Sequence, residues 1–141
     1  MTVKKIFIIF VLVLFSLNAS AITPRSTGKY KNWESFVVET DKGKICFAQT
    51  VPTKRAPGSI KRDKSKLFVT FRPSDEIKDE VSLTSGHDYK TSSVTVSSGK
   101  RRYSFFSQKN FAWLLDDQEE RKFIQLMKKA TDIIVKARTT N

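Results

Sequence analysis

Short segments that alternate apolar and polar residues occupy much of the chain after residue 32. Three of them are rich in the aromatic and β-branched residues that favour strands: WESFVVE (33–39), KICFAQTV (44–51) and KLFVTFR (66–72). Between the first two, Asp41 and Gly43 are residues that form turns. The pattern predicts a β-hairpin over residues 33–51, followed by a third strand.

The same alternation continues to residue 115. Four further apolar or alternating runs are separated by polar turns: DEVSLTS (79–85), SSVTVSS (92–98), RYSFFS (102–107) and FAWLL (111–115). Short strands at regular spacing are typical of antiparallel sheets. The sequence therefore predicts a mainly β fold, an antiparallel β-sandwich or a barrel-like sheet.

Residues 116–132 follow a helical period instead. Apolar side chains recur at Phe123, Leu126, Met127 and Ala130, which places them on one face of a helix. Asp117 and Glu120 resemble a capping pair at its start, and Lys128 and Lys129 lie near its end, where the helix dipole favours cations. We expect one amphipathic α-helix near the C-terminus, packed on the sheet, and then strand character again at residues 133–138.

The N-terminus has the order of a secretory signal peptide. Lys4 and Lys5 precede the apolar run IFIIFVLVLFSL, and small residues follow at Ala19 and Ala21. A membrane anchor is the alternative, but the run is shorter than the roughly 20 apolar residues that span a bilayer. We expect cleavage after Ala21, a periplasmic or secreted protein, and no transmembrane segment in the mature chain.

The remaining residues suit one domain. Removing residues 1–21 takes away two lysines and no acids, so the net charge of +12 becomes +10. We expect a flexible segment at residues 22–32 and a single β-rich domain at residues 33–141. Cys46 is the one cysteine, so no internal disulfide can form. A small buried residue on a strand is the favoured interpretation of Cys46, and an exposed thiol that pairs with another molecule is the alternative.

A basic cluster lies in the connection between the second and third strands. Pro52, Pro57 and Gly58 disfavour regular structure there, so we expect a loop. The candidate contacts for an anionic ligand are Lys54, Arg55, Lys61, Arg62, Lys64 and Lys66, with a second group at Lys100, Arg101 and Arg102. A solvated loop whose charge only aids solubility is the alternative.

The order of these elements resembles a known family. The blocks WESFVVETDKGKICFAQTVP, LFVTFRP, AWLLDDQEERKFIQLMKKA and IIVKAR are similar to the invasion-associated locus B family of exported proteobacterial proteins. The resemblance implies an exported β-rich domain, associated with host-cell entry in some pathogens, without an established enzymatic activity or catalytic residues. Members of that family continue into a further strand region, so we expect this sequence to be truncated at its C-terminus.

Catalytic and metal signatures are weak in this sequence. His87 lies in SGHDY, which predicts an exposed turn, and a Cys46–His87 couple would need a pocket and a third orienting group. The acids Asp75, Glu76, Asp79 and Glu80 match no calcium-loop pattern and are expected in a solvated turn. We expect no catalytic residues, no metal and no cofactor, and keep an envelope hydrolase with an unrecognised site as the alternative.

Nucleic acid is a further alternative partner. LFVTF and KRRYSFF interleave aromatic and basic residues, as strands that stack on bases do, but the complete RNA-recognition motif is absent. The favoured function is an exported, non-enzymatic accessory or binding protein of the cell envelope or host surface. Its basic face would contact lipopolysaccharide phosphates, acidic glycans or an anionic membrane surface. A sugar-binding variant would use exposed aromatic residues, for which Tyr89, Tyr103 and Phe111 are candidates.

Overall fold

The fold is described from a computed structural model, which describes residues 22–140. The predicted signal peptide, residues 1–21, lies outside this range. Nine strands and one α-helix follow one another within it: β1 (Arg25–Tyr30), β2 (Trp33–Thr40), β3 (Gly43–Thr50), β4 (Lys66–Arg72), β5 (Ile77–Thr84), β6 (Val94–Ser98), β7 (Arg101–Gln108), β8 (Phe111–Trp113), α1 (Asp117–Met127) and β9 (Ile134–Lys136).

All nine strands belong to one sheet. Its order is β1-β2-β3-β4-β5-β8-β7-β6-β9, and every neighbouring pair is antiparallel. Sequential strands are therefore neighbours along most of the sheet, as short hairpin connections require. The predicted mainly β class, with an antiparallel sheet and one amphipathic helix near the C-terminus, is confirmed.

The predicted hairpin over residues 33–51 is present. Thr40 pairs with Gly43 across a two-residue turn, and Gly43 has a φ of +120°, which favours glycine. The prediction missed strand β1, because residues 22–32 were expected to be a flexible segment. The sequence RSTGKY is almost entirely polar and exposed, so no apolar alternation marks it. Its backbone nevertheless completes the ladder along β2.

The core lies on one face of the sheet, which we call the inner face. Leu67, Leu83 and Ala112 are directly paired across β4, β5 and β8, and all three are buried. Helix α1 covers this part of the inner face with Phe123, which is completely buried and packs edge-on against Tyr103 and Phe105 of β7. Leu126 and Met127 also pack against the core, so these three residues of the predicted apolar stripe are confirmed, whereas Ala130 lies beyond the end of α1.

The start of α1 differs from the prediction. Asp116, in an extended conformation, is the N-cap, and its Oδ1 accepts a hydrogen bond of 2.8 Å from the Glu119 amide. Asp117 is the first helical residue rather than the cap. Glu120 does not turn back to the cap either, because it is buried beneath the helix and accepts a 2.9 Å hydrogen bond from the Val81 amide.

Cys46 is exposed, so the expectation of a buried cysteine was wrong. It pairs with Val37 on one side and Phe71 on the other, and Phe71 is itself 42% exposed. The alternation that suggested burial is present, but α1 packs over β5 and β7 and leaves this end of β3 and β4 open. Alternation of apolar and polar residues shows which face of the sheet a side chain lies on. Whether that face is buried depends on the elements that pack against it.

Candidate functional site

Residues 52–65, which we call the basic loop, join β3 to β4 without regular structure, as predicted. The loop folds back on itself. The Nη1 atom of Arg55 donates a long hydrogen bond of 3.4 Å to the Asp63 carbonyl, and the Nη2 atom of Arg62 donates one of the same length to the Ala56 carbonyl. These two contacts hold the two halves of the loop together.

The returning half of the basic loop packs directly on the chain after β5. A Cβ atom at Gly86 would lie less than 3.0 Å from backbone atoms of Asp63, and Gly86 has a φ of +74°. Any other residue at this position would therefore meet backbone and adopt a strained conformation. The glycine of SGHDY allows the basic loop to approach the sheet, a role that its turn propensity alone did not indicate.

The cations of this region keep their charge uncompensated. Within residues 22–140, none of Lys54, Arg55, Lys61, Arg62, Lys64 and Lys66 forms an ion pair. The hydrogen bonds of Arg55 and Arg62 end on neutral carbonyl groups. Lys66, the first residue of β4, places its Nζ atom 5.9 Å from the centre of the Phe68 ring. These cations therefore have no direct counter-charge among the described residues.

A groove of about 980 Å³ lies beside the basic loop. We call it the basic groove. The inner face of β2, β3, β4 and β5 lines one side, and the end of α1 with β9 lines the other. Its apolar lining includes Trp33, Leu67, Val69, Leu83, Ile124 and Met127. The volume lies within the range of about 300–1,000 Å³ that is usual for small-molecule sites.

The charged side chains around the basic groove are almost all positive. Four of them come from the predicted candidates: Lys54, Arg55, Arg62 and Lys66. Lys31, from the turn between β1 and β2, and Lys128, from the end of α1, join them. Among the described residues, Asp132 is the one acid in the lining. An anion in the groove would be attracted from several sides at once.

Two buried nitrogen atoms in the lining have no hydrogen-bond partner among the described residues. They are Nε of Arg62 and Nε2 of His87. His87 is half-buried rather than in an exposed turn, because its ring packs edge-on against Tyr89, with the ring centres 5.1 Å apart. Polar atoms that are buried without a partner are costly, so these two are candidates for contacts with a bound ligand.

The remaining predicted contacts lie elsewhere. Lys61 and Lys64 are exposed on the basic loop and do not line the groove. Lys100, in the turn between β6 and β7, and Arg101 and Arg102, at the start of β7, are exposed and do not line it either. The prediction missed Lys31, His87 and the apolar lining, since these residues come from distant parts of the chain. Lys128 was noticed only as a residue at the end of the helix.

The aromatic candidates for sugar binding divide into two groups. Tyr89 and Tyr103 are buried at 5% and 6% exposure, so neither presents a ring to solvent, and this part of the prediction was wrong. Phe111 is half-buried and belongs to a row on the opposite, outer face of the sheet. Successive ring centres in this outer row are 5.1 to 6.4 Å apart: Phe36, Phe47, Phe68, Phe111 and Trp113.

The two groups with shifted pKa values lie outside the basic groove. Burial raises the pKa of Tyr89, whose hydroxyl donates a 2.8 Å hydrogen bond to Ser85 Oγ, and the charge of Arg62 opposes the shift. Burial also raises the pKa of Glu120, against the hydrogen bond from Val81. Neither side chain lines the basic groove. Convergence of shifted groups in a pocket, which is typical of active sites, is not observed among the described residues.

The other candidate chemistry is also dispersed. Cys46 does not line the basic groove, whereas His87 does. Of the acids expected in a solvated turn, Asp75 and Glu76 are exposed before β5, whereas Asp79 and Glu80 belong to β5, and Glu80 is half-buried and pairs with Arg72 at 2.8 Å. Among residues 22–140, no three His, Cys, Asp or Glu side chains are grouped to hold a metal ion. The same residues include no helix with the length and apolar character needed to cross a bilayer.

Comparison with known proteins identifies no relative of this chain. No family model matches it, and neither a curated protein nor a solved structure shows significant similarity to it.

Proposed function

We propose that this chain is an exported, non-enzymatic binding protein of the cell envelope or host surface, whose basic loop and basic groove contact anionic ligands. The main support for the proposal is that several cations line one groove and form no ion pairs among the described residues. The N-terminal pattern of Lys4, Lys5 and the apolar run supports export. The resemblance to the invasion-associated locus B family, including its link to host-cell entry, stays part of this proposal.

Binding is favoured over hydrolysis by the distribution of reactive groups. A hydrolase needs a nucleophile and a base within hydrogen-bond reach of each other in a pocket. The basic groove contains His87 and hydroxyl groups such as that of Ser85, but His87 Nε2 has no hydrogen-bond partner among the described residues, and neither Cys46 nor a group with a shifted pKa lines the groove. Nucleic acid is a weaker candidate than an envelope anion, because the proposed export keeps the protein away from it. The positive charge of the groove does not distinguish between these two ligands, because it attracts every polyanion.

The test exchanges loop cations for acids. Lys54→Glu, Arg55→Glu and Lys64→Glu combined should strongly weaken binding to heparin and to lipopolysaccharide. Binding by the parent should decrease as NaCl rises, since charges are screened over about 8–10 Å at physiological salt. At physiological salt, where repulsion between the cations is largely screened, the triple variant should keep the parent's circular dichroism spectrum and nearly its melting temperature, because exposed substitutions usually change stability by no more than about 0.5 kcal/mol.

A matched control uses the second basic group. Lys100→Glu, Arg101→Glu and Arg102→Glu combined change the net charge by the same amount, but these residues do not line the groove. This control should bind heparin nearly as well as the parent. Equal binding by the parent and the loop variant at low salt would show that the basic loop is only solvated. Equal losses in the two variants would show that net charge, rather than this site, attracts the ligand.

The outer aromatic row supports a second candidate function, the binding of sugars by ring stacking. Phe111 and Trp113 lie nearly parallel at 5.9 Å and are half-exposed, so they offer a continuous apolar surface to the faces of sugar rings. A Phe111→Ala variant should then lose binding to uncharged oligosaccharides on a glycan array and keep its binding to heparin. If the parent retains no uncharged glycan, this second candidate is wrong.

A further inference from the structure

The lining of the basic groove differs from what a polyanion alone requires. A polyanion is attracted by exposed charge, whereas this groove also presents Trp33, Val69, Ile124 and Met127, all half-buried. Trp33, Ile124 and Met127 pack against the core on one side, so they are held in place rather than mobile. A fixed apolar surface beneath a ring of cations suits a ligand with an apolar part and an acidic part.

The position of Arg62 indicates where the acidic part would lie. Its guanidinium group is half-buried at the groove, and Nε has no hydrogen-bond partner in the part of the chain that the structure describes. Arginine offers its N–H groups in a fixed fork that matches carboxylate or phosphate oxygens. Because Arg62 already uses Nη2 to hold Ala56, its remaining donors are fixed in direction by the loop itself.

We propose that the basic groove binds a single-chain anionic lipid. The hydrocarbon chain lies along Trp33, Val69, Ile124 and Met127, and the carboxylate or phosphate headgroup contacts Arg62 with Lys54 and Arg55. This inference rests on the proposed function and narrows its ligand to an amphiphile. Charge complementarity selects the acidic headgroup, since Asp132 is the one acid in the lining among the described residues.

The two tryptophans of the chain make this proposal testable without a label on the protein. Trp33 lines the basic groove, whereas Trp113 belongs to the outer row on the opposite face. Bromine on an acyl chain quenches tryptophan fluorescence only at close range. Dibromostearate, added below its micelle concentration, should therefore quench the fluorescence of a Trp113→Phe variant by more than half. A Trp33→Phe variant, which reports on Trp113, should be quenched only weakly.

A second experiment uses variants in which a larger side chain fills the basic groove. Ala48 and Val69 are paired on the inner face and line the groove, so Ala48→Phe or Val69→Phe, made in the Trp113→Phe background, would occupy the space of the chain. Either should weaken dibromostearate binding by about tenfold or more, the loss expected when two or more methylene groups are displaced. Gln49→Phe adds the same ring to β3 on the outer face and should leave the affinity unchanged.

The outcomes separate this inference from the proposed function. Heparin, which has no hydrocarbon chain, should bind the groove-filled variants as it binds the parent. Heparin binding without quenching of Trp33 would overturn the lipid inference and leave the proposed function intact. Equal quenching by dibromostearate and by its uncharged methyl ester would also overturn it, because the cations would then have no role. If Ala48→Phe alters the circular dichroism spectrum, Val69→Phe decides the result.

Discussion

At the scale of single residues, Glu120 has a different role from the helix-capping role that its position in the sequence suggests. It is buried at 7% exposure and accepts a hydrogen bond from the Val81 amide. The ladder between β5 and β8 begins one residue later, at Ser82, while the Leu114 amide donates to the Val81 carbonyl. The carboxylate thus satisfies an amide that lacks a strand partner, and it fastens α1 to the sheet.

The raised pKa of Glu120 predicts a specific pH dependence. Between its ordinary pKa of 4.5 and the higher value in the fold, the folded chain keeps a proton that the unfolded chain has lost. The contribution of Glu120 to the free energy of unfolding therefore decreases as pH rises through this window. Glu120→Gln keeps an oxygen acceptor for Val81 without the charge. The stability of this variant relative to the parent should increase between about pH 4 and pH 7 in urea unfolding.

The control for this prediction removes the acceptor altogether. Glu120→Ala leaves the Val81 amide buried without a partner, which should cost about 1–3 kcal/mol at neutral pH. Titrating groups distant from Glu120 contribute equally to the parent and the variants, so the differences report on Glu120 together with its charged neighbours Glu80, Asp117 and Asp79. A stability difference between Glu120→Gln and the parent that does not change with pH would contradict the raised pKa.

At the scale of elements, the start of α1 makes a prediction that separates two adjacent acids. Asp116 accepts a hydrogen bond from the Glu119 amide, whereas Asp117 lies within the first turn. Asp116→Ala should destabilise the protein by about 0.5–2 kcal/mol, the usual cost of a lost N-cap. Asp117→Ala should cost less, because it loses only an interaction with the helix dipole of about 0.3–1 kcal/mol.

Thermal unfolding of the two variants measures this difference directly. Both substitutions remove one negative charge from neighbouring exposed positions, so general electrostatic effects are matched. Asp116→Asn, which retains a good capping oxygen, should restore most of the stability lost in Asp116→Ala. Equal melting temperatures for Asp116→Ala and Asp117→Ala would contradict the assignment of the cap.

The elements also show how far the sequence could predict this fold. Alternation located the hairpin of β2 and β3, and the helical period located Phe123 in the core, because these signals are local. Strand β1 has no apolar alternation, since both its faces are exposed. Its formation depends on hydrogen bonds with β2, which a pattern of side chains does not record.

The candidate site could be predicted only in part, for a related physical reason. The cations of the basic loop are adjacent in sequence, so their shared location was evident. The groove beside them combines Trp33, His87 and Lys128, which are far apart along the chain. They meet because the sheet brings β2 and β5 beneath the loop and because α1 ends at the same place. No local pattern contains that information.

At the scale of the whole molecule, charge is far from balanced. Lys4 and Lys5 are the charged residues among residues 1–21, so the chain from residue 22 onward carries a net charge of +10. Of the five ion pairs among the described residues, only Arg72 with Glu80 joins two partners that are both mostly buried. Exposed pairs contribute about 0–1 kcal/mol each. Repulsion among the unpaired cations should therefore outweigh the attraction within these pairs.

This balance predicts that moderate salt stabilises the protein. Raising NaCl from about 10 mM to about 100 mM shortens the screening length from about 30 Å to about 10 Å and weakens long-range repulsion more than close contacts. The melting temperature should rise over this range in differential scanning calorimetry.

The variant with Lys54→Glu, Arg55→Glu and Lys64→Glu provides a control. Each reversal lowers the net charge by two units, so the net charge falls from +10 to +4. Its melting temperature should rise less. A melting temperature of the parent that falls with salt would mean that attractive pairs dominate the folded state, and that the positive charge around the basic groove costs the fold little.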